Sequence, residues 1–187
     1  MKKKTKSKDV VMLLSSKKIK VALATTHIPL IEVSKNIQKS KLVNTIKILH
    51  ASLKSKFQIK HPSITVLGLN PHAGENGKMG EEEIKKINPA VQICKDIGID
   101  ASYAISADTA FTASKLKHTD AYLGMYHDQV LPVLKTLSFG EAINITLGTP
   151  IIRTSVDHGT ALDLAGNSKP NLGSIKEAIS VAAIQLK

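Results

Sequence analysis

Short uninterrupted apolar runs alternate along this chain with longer stretches in which apolar residues recur every three to five positions. The runs 10–14, 20–25, 64–69, 103–106, 121–125 and 142–147 have the length and composition of buried strands. The run 20–25 stops at Thr26-His27-Ile28-Pro29, where a proline without an amide hydrogen ends pairing in a central strand. From Ile31 to Phe57, the residues Ile31, Val33, Ile37, Leu42, Ile46, Leu49 and Leu53 are spaced for one face, with lysines between them. That pattern predicts one long amphipathic helix, or two joined near Ser40. A further helix is predicted over 81–97, with Glu81, Glu82 and Glu83 at the positive end of its dipole and Gly98 ending it. Pro89 should bend or split that helix near Asn88. Helices are also predicted over 130–137 and 171–186, the latter with Ile175, Ala178, Ile179 and Ala182 on one stripe.

Apolar strands alternating with helices predict an α/β fold, a mostly parallel sheet with helices on both faces. Ligands of such sheets bind at the carboxyl ends of the strands. His27, His72 and His127 each fall just beyond a predicted strand, the second inside the turn-forming segment Asn70–Gly80.

Composition narrows the classes. A chain of 187 residues with 42% hydrophobic content can bury a real core, built from Ile, Val, Leu and Ala because aromatics are 3% and Trp is absent. One cysteine excludes an internal disulfide framework, and Cys94, among Val91, Ile93 and Ile97, reads as a buried inert thiol. No apolar run is long enough to span a bilayer and nothing at the N-terminus reads as a secretory signal, so a soluble cytoplasmic protein is expected. The net charge of +11 is lopsided: residues 1–62 hold 15 Lys against Asp9 and Glu32, or +13, and the remainder sums to −2. The basicity belongs to a tail, 1–8, expected to be disordered, and to one lysine-rich helix. Nucleic-acid binding through that tail lacks support, since no arginine precedes Arg153 and neither aromatic interleaving nor a base-reading motif is present.

Three neutral imidazoles suit a divalent metal and leave positions for water or substrate, although strand-end histidines also cap carbonyls, as His50, His61 and His118 are expected to do. Asp108 and Asp128 occupy similar strand-to-helix positions, where a carboxylate can orient a histidine through its second nitrogen or act as a base. Lys135 and Arg153 are candidates for an anionic substrate, and Arg153 is the single arginine beside 25 lysines. Asp157-His158-Gly159-Thr160 stands at a predicted helix threshold, where backbone amides could receive a phosphate, or where a structural cap would look much the same. No GxGxxG follows a strand, so a Rossmann fingerprint is absent.

The blocks Ala24-Thr25-Thr26-His27-Ile28-Pro29-Leu30, Gly68-Leu69-Asn70-Pro71-His72-Ala73-Gly74-Glu75, Ala107-Asp108-Thr109, Met125-Tyr126-His127-Asp128-Gln129, Asn144-Ile145-Thr146-Leu147-Gly148 and Ile152–Ala161 resemble, in the same order, the 4-hydroxythreonine-4-phosphate dehydrogenase family of pyridoxal phosphate biosynthesis. The resemblance implies a divalent metal (Zn, Mg or Co) on His27, His72 and His127, the last supplied across a homodimer. It implies Lys135, Asn144 and Arg153 as substrate-binding residues, with Asp108, Asp128 and Lys135 catalytic or supporting in the same pocket. It further implies NAD or NADP as oxidant, for which Asp157, His158, Gly159 and Thr160 are the candidate contacts. The implied reaction oxidises 4-phosphooxy-L-threonine, a phosphorylated amino acid, to 2-amino-3-oxo-4-phosphooxybutanoate, which decarboxylates to 3-amino-2-oxopropyl phosphate. Against that family the chain matches the C-terminal domain of a two-domain dehydrogenase plus a remnant of the first. Residues 9–154 are then the metal- and substrate-binding domain, and 155–187 a segment that would pack on the first domain. The alternative is a catalytically silent metal-binding fragment, or a subunit that assembles with a separately encoded N-terminal half.

Overall fold

A computed structural model describes residues 5–157, 159, 166 and 171–185. Its centre is a six-stranded sheet in the order β3-β4-β2-β1-β5-β6, with β1 at Val11–Ser15, β2 at Lys20–Leu23, β3 at Ile64–Val66, β4 at Ala121–Gly124, β5 at Ile143–Leu147 and β6 at Thr154–Val156. The fold is α/β, but the sheet is mixed and not mostly parallel. β2 and β3 each pair with β4 in parallel, while β1 runs antiparallel to both β2 and β5, and β6 antiparallel to β5. The cause is connection length. A parallel return needs a crossover of roughly a dozen residues, and the links 16–19 and 148–153 are too short to supply one. Ser16 tightens the first link by accepting the Ile19 amide at 3.2 Å, while its own amide donates to the Ile19 carbonyl at 2.9 Å.

Helices cover both faces. They are α1 (Val33–Asn36), α2 (Lys39–Phe57), α3 (Asn88–Asp96), α4 (Ala113–His118), α5 (His127–Ser138) and α6 (Gly173–Ile184). On one face Leu42, Ile46, Leu49 and Leu53 of α2 pack with Val91 and Cys94 of α3 against Leu13, Ile143, Ile145 and Leu147. On the other, Val130, Leu131 and Leu134 of α5 close over Leu14, Val21, Leu23 and Tyr122. Each such buried side chain contributes about 1.5–3 kcal/mol. Burial pushes the Cys94 thiol pKa up, in keeping with an inert core cysteine.

The lysine-rich helix breaks at Ile37 and Gln38, which are extended, and the break drives Ile37 into the core. Pro89 acts near Asn88 as expected: a π-helical turn over Glu83–Ile87 passes into α3 there, the Asn88 amide donating to the Glu83 carbonyl because the ordinary ladder cannot run through a proline. The expected strand at 103–106 does not form. Ile105 only bridges Leu67, its amide donating to Val66 and its carbonyl accepting from Gly68. In α6 the expected apolar stripe is divided, since Ala178 and Ser174 are buried against the β5–β6 edge while Ile175 and Ile179 are exposed. No helix among the described residues is long and apolar enough to cross a membrane.

Candidate functional site at the strand ends

β2 and β4 stay zipped beyond their last paired residues, because the Ala24 amide donates to the Gly124 carbonyl at 2.8 Å and the Thr25 hydroxyl to the Met125 carbonyl at 2.7 Å. The two chains then diverge, and their next functional groups meet: the rings of His27 and His127 lie 5.4 Å apart between centroids, tilted by 48°. His127 opens α5, with extended Tyr126 as the residue before the first turn. Its Nδ1 lies 2.7 Å from Asp128 Oδ1, which fixes the ring and leaves Nε2 as the nitrogen for a ligand. Asp128 also suits the positive end of the α5 dipole.

Gln129 ties this corner to the neighbouring strand. Its Nε2 donates to the Gly68 carbonyl and its Oε1 accepts the Met125 amide, both at 2.7 Å. Gly124 lets α5 approach that closely, since a Cβ there would stand 2.6 Å from Val130 Cγ1.

His72 is presented differently. After β3 the chain enters a tight turn, Pro71–Gly77, in which His72, Ala73, Gly74, Glu75 and Asn76 all have positive φ, from 42° to 78°. Left-handed backbone costs non-glycine residues about 1–2 kcal/mol each, so the turn persists because its surroundings impose it. The imidazole stands exposed, its Nδ1 4.0 Å from Asp108 Oδ2. The Ser106 hydroxyl donates to Asp108 Oδ1, and this hydrogen bond, with the nearby His72 as a lesser cause, holds the Asp108 carboxyl below its usual range. Between the turn and α5 lies an open cleft of about 460 Å³, lined by Asn70, His72, Ser106, Asp108, Asp128 and Gln129 among others.

The expected site residues therefore separate into groups. His27 pairs with His127, and His72 with Asp108 across the cleft from Asp128. Among the described residues no group of three His, Cys, Asp or Glu side chains is disposed around one metal position. Lys135, Asn144 and Arg153 do not line the cleft. Lys135 lies eight residues along α5 from His127, about 12 Å by helical rise. Its ammonium donates to the Asp157 carbonyl at 2.9 Å and pairs with the Asp157 carboxylate. Arg153 donates to the Thr146 hydroxyl at 3.0 Å, and Asn144 Oδ1 is buried without a partner among the described residues. His158 and Thr160 lie outside the described residues. A Cβ placed on Gly159 would meet open space.

Sequence reasoning missed two structural members of this region. Gln129 was visible only as a motif letter after His127-Asp128. Glu83 looked like one of three interchangeable helix-start acids, yet it is buried and accepts the Leu69 and Asn70 amides at 2.7 and 2.8 Å. Three acids in a row carry no signal of which one points inward.

A mixed α/β sheet with imidazoles and carboxylates gathered at its strand ends defines the class: an α/β domain that presents a polar cleft beyond the ends of its strands. The chain belongs to the pyridoxal phosphate biosynthetic protein PdxA family, whose model matches residues 1–182. It is 53% identical over 178 residues to a 4-hydroxythreonine-4-phosphate dehydrogenase of Pseudomonas aeruginosa, covering 95% of this chain and 54% of that protein. With the protein of the same name from Chromobacterium violaceum it shares 54% identity over 179 residues, 96% of this chain and 55% of the relative. The crystal structure of a 4-hydroxythreonine-4-phosphate dehydrogenase from Klebsiella pneumoniae superimposes with a TM-score of 0.88 at 34% identity, covering all of this chain and 56% of the other. The chain thus spans about half the length of the curated relatives it matches.

Proposed function

We propose that this chain is the C-terminal portion of a 4-hydroxythreonine-4-phosphate dehydrogenase. The reaction is the oxidation of 4-phosphooxy-L-threonine by NAD or NADP to 2-amino-3-oxo-4-phosphooxybutanoate, which decarboxylates to 3-amino-2-oxopropyl phosphate. The observation that carries this reading is the placing of His27, His72 and His127 just beyond β2, β3 and β4, in a family member, at a cleft lined by His72 and Asp108.

The imidazoles of His27, His72 and His127, the last oriented by a carboxylate on its Nδ1, are nitrogen donors of the kind a divalent ion takes. His27, His72 and His127 are the residues that would hold it, with His127 completing the set of a second copy in a homodimer. Bound there, the ion would lower the pKa of the substrate hydroxyl and polarise the carbonyl formed from it. Asp128 holds His127 in one orientation. Asp108, kept ionised by Ser106, can accept a proton from a group entering the cleft. Lys135, Asn144 and Arg153 supply the cationic and amide donors for the phosphate, Lys135 exchanging Asp157 for the ligand as it does so. The residues 157–160 are the proposed contact for the dinucleotide.

The distance between the histidine corner and the Lys135–Asn144–Arg153 group favours a second reading: catalysis waits for a second chain, and this one alone turns over slowly or not at all. Reacting groups must be held within fractions of an ångström, which requires both walls of a site. The test is NADH formation from 4-phosphooxy-L-threonine with Zn²⁺, Mg²⁺ or Co²⁺ added, using the chain alone and then with an N-terminal half from a family relative. Recovery of turnover only in the mixture supports the split enzyme. Turnover by the chain alone removes the second reading, and none in either case, with no metal bound, removes the first.

A further inference from the structure

His27 and His127 are presented by regular elements, whereas His72 depends on a backbone path that its own sequence does not favour. What imposes that path is visible underneath it. Glu83, 2% exposed, sits in the π-helical turn Glu83–Ile87 with its carboxylate inside the loop. Oε1 accepts the amides of Leu69 and Asn70, and Oε2 accepts the Asn70 side-chain amide at 2.9 Å. The other hydrogen of that amide goes to Glu82 Oε2 at 2.8 Å, and Glu82 in turn accepts the Ser34 hydroxyl of α1. Asn70 is therefore fixed in both position and orientation two residues before His72.

The turn is wrapped tightly on the same carboxylate. A Cβ on Gly74 would lie 2.7 Å from Glu83 Oε2, and one on Gly68 would lie 3.0 Å from Oε1 and 2.8 Å from Ala73 Cα. Both glycines leave room for Glu83. The π-turn begins at Glu83, and adjacent Glu82 and Glu83 both reach the one Asn70 amide; π-turns recur at functional sites.

We propose that Glu83 is a positioning residue: its buried carboxylate holds the left-handed turn 72–76 and thereby aims the His72 imidazole. The proposal rests on reading His72 as a metal ligand, and its test keeps the two apart. Glu83→Gln keeps the volume and one acceptor but turns a donor toward the Asn70 amide. Glu83→Ala removes the whole group, and Glu81→Gln, whose parent pairs only with exposed Lys85, is the control.

Amide hydrogen exchange over 69–79 should accelerate about tenfold or more in Glu83→Gln, as expected for losing a hydrogen bond to a charged group, while exchange in β1 and β5 stays as in the parent. The His72 ring-proton NMR signal, assigned by its loss in His72→Ala, should move in Glu83→Gln and stay in place in Glu81→Gln. Co²⁺ affinity, followed by its visible absorption, should fall roughly 10–100-fold, the usual range for a group that orients a ligand. His72→Ala should lose the Co²⁺ site yet keep parental exchange over the rest of the turn. An unmoved His72 signal in Glu83→Gln overturns the proposal, as does acceleration spread evenly over the whole chain. A parent chain that binds no Co²⁺ refutes the metal reading, while exchange and the His72 signal still decide the role of Glu83.

Discussion

Where β3, β4 and β2 end, the chain supplies its own partners: Gln129 spans Gly68 and Met125, Thr25 caps Met125, and Glu83 gathers the amides of Leu69 and Asn70. At the β5–β6 end the accounts stay open. Asn144 Oδ1 is buried without a partner among the described residues, and Phe139, Ile175, Ile179 and Ile184 expose apolar surface. Buried polar groups are normally satisfied and large apolar side chains normally covered. The contrast shows where preorganisation is concentrated. The backbone groups of the histidine corner are satisfied within this chain, although Leu30 and Ile31 beyond His27 are exposed, whereas the edge bearing the proposed phosphate anchors has both surface to cover and a buried polar atom to satisfy.

The largest expected effect tests this contrast through stability. Leu123, fully buried in β4, should cost about 2–5 kcal/mol when changed to alanine, read as the denaturant midpoint at unchanged slope. Ile179→Ala on exposed α6 should stay within about 0.5 kcal/mol in the chain alone. A comparable loss at both positions would erase the distinction between the two regions. If Ile179→Ala becomes costly only when an N-terminal half of a relative is added, the exposed face is where that half docks.

Next in size is Gln129→Ala. It strands the Met125 amide and the Gly68 carbonyl together, and a buried backbone group left unpaired costs about 1–3 kcal/mol. Gln129→Glu retains the acceptor for Met125 but loses the donor to Gly68, so it should fall between parent and alanine variant in thermal unfolding. Equal stability of all three would mean that water replaces the bridge, and that the histidine corner is less self-contained than its hydrogen bonds indicate.

These residues also show what the sequence could and could not reveal. The α/β class, the places of β1–β5, the break of the lysine-rich helix and the disturbance at Pro89 follow from local patterns that packing preserves. Strand direction does not: β1 and β6 are reversed by short connections, and a buried strand has the same apolar run whichever way it points. The segment 103–106 has the apolar content of a strand but joins the sheet through a single bridge, because the Ala104 amide donates to Asn88 Oδ1 and the Val66 amide of β3 donates to the Ser102 hydroxyl. The histidines were legible from their post-strand positions and from the resemblance. The left-handed backbone beneath His72 was not, since His72-Ala73-Gly74-Glu75-Asn76 contains one glycine where all five residues adopt positive φ. A conformation imposed by a distant carboxylate leaves no local trace.

The smallest effect concerns the Glu82–Asn70–Ser34 link between the turn and α1. The Ser34 hydroxyl, and after it the Asn70 amide, hold the Glu82 carboxyl below the usual carboxylate range. A group whose pKa is depressed on folding stabilises the fold above its unfolded pKa, and that contribution disappears as pH falls through the lower, folded value. Because Glu82 is largely solvated, the contribution is a few tenths of a kcal/mol, of the order seen for exposed pairs. Ser34→Ala should therefore narrow the difference in unfolding midpoint between pH 6 and pH 3 by that small amount, and leave the stability near pH 3 almost unchanged. An equal loss at both pH values would assign the Ser34 effect to packing of α1. It would leave Glu83 alone, without Glu82, as the clamp on Asn70 and the turn that carries His72.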